Sequence, residues 1–420
     1  MGYEVAPTAC ESMSAHQLQI DSPLPAASDA PVSVRVYGHW DDLAEILGDW
    51  NSLLQRSAKA SIFQTPEWLG AWWQAFGANK ELQGLVFTDS DRKIVGIAPF
   101  YVEQQSTVGA PVKFLRMLGA GSGDSDALDF IVAPGNERQC ANAFVSWLAS
   151  QIAWDICALE TLRAGSLVAR HIAQLVHQAG WRTQSETTPN FFIELPPTWA
   201  EYLDTLEPSF RPLLTRYPKR LQSRYRVSMT RCEGPEDLDH NLQTLFVLHQ
   251  MRWTGQGEPG AFATPERREF YSRMARAFQA RGWLEFWMLQ LEGETVAAQF
   301  CFRYGGTVYL LQEGFNPKYA ADKIGYALRA HVLQEMIRTG ADRYDFMGGA
   351  DAYKSRFGAC EGSYLTLRFA GPSRLGRLDL ALREKKREIK SWLKRKLPER
   401  VLELLRSGLN RPAASIQIAK

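Results

Sequence analysis

The chain has 420 residues, 45% hydrophobic and 22% charged, with a formal net charge of +2. That length can bury a large core and suits more than one domain. The near-neutral balance excludes a protein whose main task is coating nucleic acid, and no apolar run reaches the roughly 20 residues that span a bilayer. Six scattered cysteines form no CxxC pair, so a disulfide framework is not expected.

Residues 1–30 are rich in Ala, Ser and Pro and lack a period, which reads as a disordered leader. They lack the basic start and apolar core of a signal peptide, and a cytoplasmic location is expected. A first domain is expected over 31–190. Phe63-Gln64-Thr65-Pro66-Glu67 opens it with a helix: Thr caps, Pro suits the first helical position and Glu favours the positive end of the dipole. Leu69, Trp72, Trp73 and Phe76 follow at helical spacing. Strands are predicted over 85–88 and 94–101, around a polar turn. Further strands fall over 114–118, 128–132 and 155–159, with a helix over 137–151.

The loop 118–129 (LGAGSGDSDALD) misses the GxGxxG fingerprint and precedes a strand, which argues for a flexible turn. Asp124, Asp126 and Asp129 read as a solvated acidic loop or as contacts to a polar substrate rather than a cation site. His171 and His177 read as packing or surface residues, and no metal is expected.

The join is placed near 189–195, and a second domain is expected over 191–370. Between the halves, 210–226 interleaves Arg211, Arg216, Lys219, Arg220, Arg224 and Arg226 with Tyr217 and Tyr225. This is either a solvated helical face or a polyanion site. His249, Arg252 and Trp253 precede a glycine-rich loop (Gly255, Gly257, Gly260), a pattern that suits substrate capture. The opening motif then recurs as Phe262-Ala263-Thr264-Pro265-Glu266, again followed by a predicted hairpin (284–291 and 295–304). Duplication of a helix–hairpin unit follows. Strands alternating with helices, plus antiparallel hairpins, predict a mixed α/β sheet in each half.

The second half continues with a strand over 307–313, a loop, a helix over 323–338 and a strand over 343–347. A strand, a loop opening a helix, and a second strand with a Tyr-Lys turn can hold a nucleotide-bearing thioester. Lys323, Ile324, Gly325 and Tyr326 start the helix. Its free N–H groups suit a pyrophosphate and the glycine admits it, or else Asp322 simply caps the helix. Glu313, at a strand end, is a candidate base. Asp345, alternating with Tyr344 and Phe346, faces a cavity or pairs with Arg356. Tyr353 can protonate a leaving thiolate, and Lys354 can stabilise an oxyanion or phosphate. After Ala370 the residues 371–420 are basic and helix-prone. Leu375, Leu378, Leu382, Ile389, Trp392 and Leu393 share a face of that helix, and lysines crowd around it. The tail either docks on the body or makes peripheral contact with a membrane through 371–397.

The segments LHQMRW (248–253), IGYAL (324–328) and YDFMGGADAYKSRFG (344–358), with FQTPEWLGAWWQAFG (63–77), resemble the acetyltransferases associated with cellulose biosynthesis. These belong to the Gcn5-related acyltransferase (GNAT) superfamily and are similar to the Fem aminoacyltransferases, which hold two such domains. The resemblance implies tandem acyltransferase domains, each a mixed sheet flanked by helices. It implies acetyl-CoA or another acyl-CoA at Lys323–Tyr326, and Lys354 against the acyl donor. The pyrophosphate motif is degenerate here, keeping one clear glycine, Gly325. The implied acceptor is a small molecule or a sugar or envelope precursor, with His249, Arg252, Trp253 and Asp129 as substrate contacts. Two rivals stay open: a Fem-like transferase drawing on aminoacyl-tRNA, and a non-catalytic scaffold of a polysaccharide machine.

Overall fold

In the computed structural model, the first half runs β1 (Ser33–Tyr37), α1 (Leu47–Arg56), α2 (Pro66–Phe76), β2 (Glu81–Thr88), β3 (Ile94–Thr107), β4 (Ala110–Met117), β5 (Ile131–Val132), α3 (Glu137–Ser150), β6 (Ile156–Arg163), α4 (Leu167–Gln178) and β7 (Arg182–Glu194). The second half adds α5 (Trp199–Thr205), α6 (Arg211–Arg224), β8 (Val227–Arg231), α7 (Pro235–Thr254), α8 (Pro265–Ala280), β9 (Leu284–Leu291), β10 (Glu294–Tyr304), β11 (Thr307–Phe315), α9 (Ile324–Arg338), β12 (Arg343–Gly348), α10 (Ala352–Arg356), β13 (Cys360–Ala370) and α11 (Arg374–Lys396). The structure describes residues 31–57, 60–107, 110–151, 154–254, 260–349 and 352–396. The leader, the glycines at 255 and 257, Asp351 and the chain after 396 lie outside the described residues.

The repeated Thr-Pro-Glu motifs act as their chemistry requires. Thr65 accepts the Trp68 N–H at 3.3 Å and Thr264 the Arg267 N–H at 3.4 Å, each capping a helix whose first turn holds proline. The two helices pack on each other. Trp68 meets Phe270 edge-on at 5.0 Å and stacks with Phe278 at 6.0 Å, and Phe76 meets Phe270 at 5.6 Å. Trp68 is fully buried and donates its indole N–H to Ser125 at 2.9 Å. Aromatic pairs of this kind add about 0.5–1.5 kcal/mol each beyond burial, so the duplicated helices help to hold the two halves together.

The expected mixed sheets are present, and they are one sheet. Its order is β1-β2-β3-β4-β6-β13-β7-β12-β11-β10-β9-β8, with β5 on β3. The halves exchange closing strands. β13, late in the chain, pairs with β6 of the first half, and β7 pairs with β12 of the second. β7 and β13 run antiparallel from Cys360↔Phe192 to Ala370↔Arg182. The stretch 189–195, read as the join, begins inside β7 and leads into the second half.

Each half contains one parallel pair that soon parts. β4 meets β6 only at Phe114–Arg116, and β11 meets β12 only at Thr307–Tyr309. Beyond those residues the two strands of each pair are no longer bonded to each other. In β11 the pairing with β10 jumps from Leu310 to Gln312 and leaves Leu311 outside the ladder, a bulge of the kind that bends a strand beside a site. Two large cores flank the sheet, one around Trp50, Trp68 and Phe144, the other around Tyr202, Phe210 and Phe357. Cys140, Cys157, Cys232 and Cys301 are buried free thiols. Of the strand expected over 128–132, only Ile131 and Val132 pair.

Candidate functional site

The candidate site of the second half lies where the pairing of β11 and β12 ends. Glu313, on the open stretch of β11, forms an ion pair with Arg329 of α9 and accepts the Gln299 amide at 3.3 Å. Arg329 is 3% exposed, and its guanidinium lies 4.5 Å from the Tyr353 ring centre and 4.9 Å from that of Phe357. Burial opposes the Arg329 charge, but Glu313 and the phenols of Tyr353 and Tyr344 outweigh it and raise its pKa. Glu313 is therefore the counter-ion of a buried arginine. Tyr353 is half-buried on the other face of that arginine.

The end of β12 is held from three sides. Asp345 Oδ1 accepts the Met347 N–H at 2.7 Å, and Asp126 Oδ2, from the acidic loop of the first half, accepts the Gly348 N–H at 2.8 Å. Lys354 Nζ donates to the carbonyls of Phe346, Met347, Gly348 and Gly349 at 3.3, 3.4, 2.9 and 2.9 Å. Met347 takes φ 61° and Gly349 φ 99°, so the turn holds a non-glycine residue in the left-handed region. Such a conformation costs on the order of 1–3 kcal/mol and persists only where its surroundings over-determine it. The two carboxylates and the ammonium do that here.

Burial pushes Asp345 up to about 6, against the Met347 N–H, Arg163, Arg343 and Lys354, which pull it down. Asp126 is also pushed up to about 6 by burial, opposed by the Gly348 N–H and reinforced by the charge of Asp345. The phenols of Tyr309 and Tyr364 close the cluster; both are raised by burial, with Asp345 adding to each. The expected pairing of Asp345 with Arg356 is not formed. Arg356 lies over Phe210 at 4.8 Å instead.

The start of α9 differs from the simple cap. Lys323 occupies the cap position with φ 58° and no side-chain bond to the helix. Asp322 does not cap: it is buried, paired with Arg224 and bonded by the Tyr225 hydroxyl at 3.2 Å. Ile324 is a core residue, and Tyr326 packs between Phe210, Tyr217 and Phe357. A Cβ on Gly325 would meet only the Phe315 ring edge, at 3.9 Å. The glycine side of this helix start is thus open, as an anion-binding N-terminus requires. Beside it, α6 uses Arg220 on the Ala321 carbonyl at 2.7 Å and Arg224 on Asp322, while Arg216 and Lys219 line an open groove of about 590 Å³.

His249 is buried in α7, where it accepts the Trp253 indole N–H at 2.9 Å and rests 4.9 Å from the Phe262 ring. α7 can lie on β11 because Gly314 has no side chain; a Cβ there would stand 2.6 Å from the His249 backbone nitrogen. The Arg252 side chain lies outside the described residues. Asp129 accepts the neighbouring Phe130 N–H at 2.8 Å. Asp124 is the clamp between the halves, taking Arg267 Nε at 3.0 Å and the Tyr271 hydroxyl at 3.0 Å.

Residues 208–355 match the family model described as an acetyltransferase (GNAT) domain. The second half carries a GNAT acyltransferase domain. Comparison with curated proteins gives no match. Among solved structures, FemX superposes with a TM-score of 0.58 at 11% identity, covering 79% of this chain and 98% of FemX. This likeness speaks for the fold. L-PGS from Bacillus licheniformis (TM-score 0.45, 14% identity, covering 76% of this chain and 95% of that one) is more distant. So is a tandem GNAT protein from the clavulanic acid biosynthesis pathway (TM-score 0.44, 12% identity, 81% and 99%).

Within the GNAT domain, Asp345, Tyr353 and Lys354 gather at the β12 end, and Glu313 reaches Tyr353 through Arg329. Arg163 and Arg329 are site residues that sequence reasoning passed over, and Asp126 was read there as a loop acid with no link to Asp345. Asp126 had a signal, an acidic loop rich in glycine. Arg329 had none, because an arginine in an amphipathic helix ordinarily faces water.

Proposed function

We propose that the protein transfers an acetyl or longer acyl group from acyl-CoA to an amine or hydroxyl of a sugar or envelope/exopolysaccharide precursor, on the cytoplasmic side of the membrane. The observation that carries this reading is the meeting of Asp126 and Asp345, one from each half, on a single turn beside the place where β11 and β12 unpair. The open glycine face at Lys323, Ile324, Gly325 and Tyr326 would receive the donor's pyrophosphate, and the unpaired stretch between β11 and β12 would receive the thioester. Held near 6, Asp345 and Asp126 are largely ionised at neutral pH and still basic enough to accept a proton from the acceptor. Tyr353 would return a proton to the leaving sulfur. Lys354 would hold the turn that aims both carboxylates. No covalent enzyme intermediate is needed, since positioning two substrates in one site supplies much of the rate. Assignment to the cellulose-associated branch rests on the sequence segments alone.

A second reading, transfer from aminoacyl-tRNA, draws support from the open groove at Arg216 and Lys219. Thermal shift separates the two. Acyl-CoA at 100 times its dissociation constant should stabilise the protein by about 2.7 kcal/mol, with tRNA inert. A shift with aminoacyl-tRNA and none with any acyl-CoA favours the second reading, and no shift with either sinks both.

A further inference from the structure

α11 leaves the body with two unlike faces. The inner face docks. Gly376 lies so close to the Asp155 carbonyl that a Cβ would stand 2.1 Å from its oxygen, and Leu380 joins Val112, Phe114, Ile156 and Ala370 in a small core. Of the acids, Asp379 is buried against Arg383, Glu384 is half-exposed and meets Arg182 at 2.7 Å, and Glu388 is exposed. The outer face carries Leu375, Leu378, Ile389 and Trp392, which are 44%, 54%, 58% and 55% exposed. Their spacing keeps them in one stripe along the helix. At 100° per residue, Lys385 and Lys386 fall within or beside that stripe, and their exposed stems can reach outward past it.

Docking and an exposed apolar stripe are thus both true of this helix, and only the stripe lacks an explanation. A narrow row of this kind exposes roughly 400 Å² of apolar surface, about half of what each partner buries in a stable protein complex. It does match the other surface that pairs apolar contact with positive charge. Leu, Ile and Trp enter the headgroup boundary while lysines meet anionic headgroups. We propose that α11 is an interfacial helix that seats the protein on an anionic lipid surface. The inference stands whether or not the acyl-transfer reading holds.

Full-length protein should sediment with phosphatidylglycerol-containing vesicles at least ~10-fold better than with phosphatidylcholine alone, and salt should release it. Leu378→Glu with Trp392→Glu should weaken binding at least ~10-fold without lowering the melting temperature, because both side chains are exposed. Ile389→Asp offers the same test should that pair fail to fold. Lys385→Glu with Lys386→Glu should abolish the preference for anionic lipid. Equal binding by a folded stripe variant, or no sedimentation with anionic vesicles, overturns the proposal. So does a stripe-dependent dimer in velocity sedimentation without lipid binding.

Discussion

Asp126 and Asp345 stand 219 positions apart in sequence (345 − 126), yet accept the N–H groups of Gly348 and Met347, neighbours in one turn. Each half thus delivers one carboxylate to the same strand end, and burial makes both reluctant to ionise. This pair of carboxylates is brought together only when the two halves are assembled. The exchange of β7 and β13 fixes that assembly.

The first prediction is a pH dependence. Folding raises Asp345 from its ordinary 3.8 to about 6. The unfolded chain releases this proton more readily, so the group's contribution to stability is full below about pH 4. It is lost as pH rises through about 6. That rise corresponds to roughly 3 kcal/mol. Asp345→Asn keeps an acceptor for the Met347 N–H and removes the charge. Denaturant titration should show it more stable than wild type at pH 8 by ~1–3 kcal/mol and level with it at pH 4, while turnover falls at least ~100-fold. For wild type, kcat/KM should climb between pH 5 and 7. A variant with full activity would remove Asp345 from the chemistry.

Lys354 reads differently in the structure than in the sequence. A lysine after a diglycine turn suggests a surface cation aimed at substrate. Here it is 2% exposed and spans four carbonyls. Stability and activity should therefore fall together. Lys354→Ala orphans those carbonyls, and a loss of roughly 2–4 kcal/mol is expected by urea unfolding. A loss under ~1 kcal/mol with activity abolished would return Lys354 to a direct catalytic role.

Why some of this was legible and some was not follows from the range of the forces. Capping by Thr65 and Thr264, the hairpins and the α9 start are local, and their residue types announce them. The mixed sheet followed from the alternation of elements. The fusion of two sheets by strand exchange left no mark, because β7 and β13 carry the same patterning whichever half they join. Partners were equally silent. Nothing near Glu313 in sequence names Arg329, and nothing near Asp322 names Arg224. A buried charge is recognised only by what surrounds it.

That pairing gives the third prediction. Breaking a buried ion pair by removing one member costs about 3–5 kcal/mol, while replacing both with apolar groups costs far less. Glu313→Leu or Arg329→Met alone should destabilise by that amount, and the double variant should recover most of it. A double-mutant cycle by chemical denaturation measures this coupling. If Glu313 were instead the catalytic base, Glu313→Gln would abolish turnover without a comparable loss of stability.

The last prediction tests the helix start, where stability and binding are expected to move apart. A side chain on Gly325 enters open space, with Phe315 at 3.9 Å as the nearest obstacle. Gly325→Asp also places a negative charge in the first turn of α9, where the helix dipole favours it by about 0.3–1 kcal/mol, and it gains a further few tenths of a kcal/mol, roughly, by replacing a helical glycine. The variant should melt at or above the wild-type temperature. The same carboxylate would stand where a pyrophosphate is proposed to bind and repel it. Calorimetric titration should then show acyl-CoA affinity lowered at least ~10-fold, with Gly325→Ala closer to wild type. Unchanged affinity in a folded Gly325→Asp protein would move the donor's phosphates away from α9.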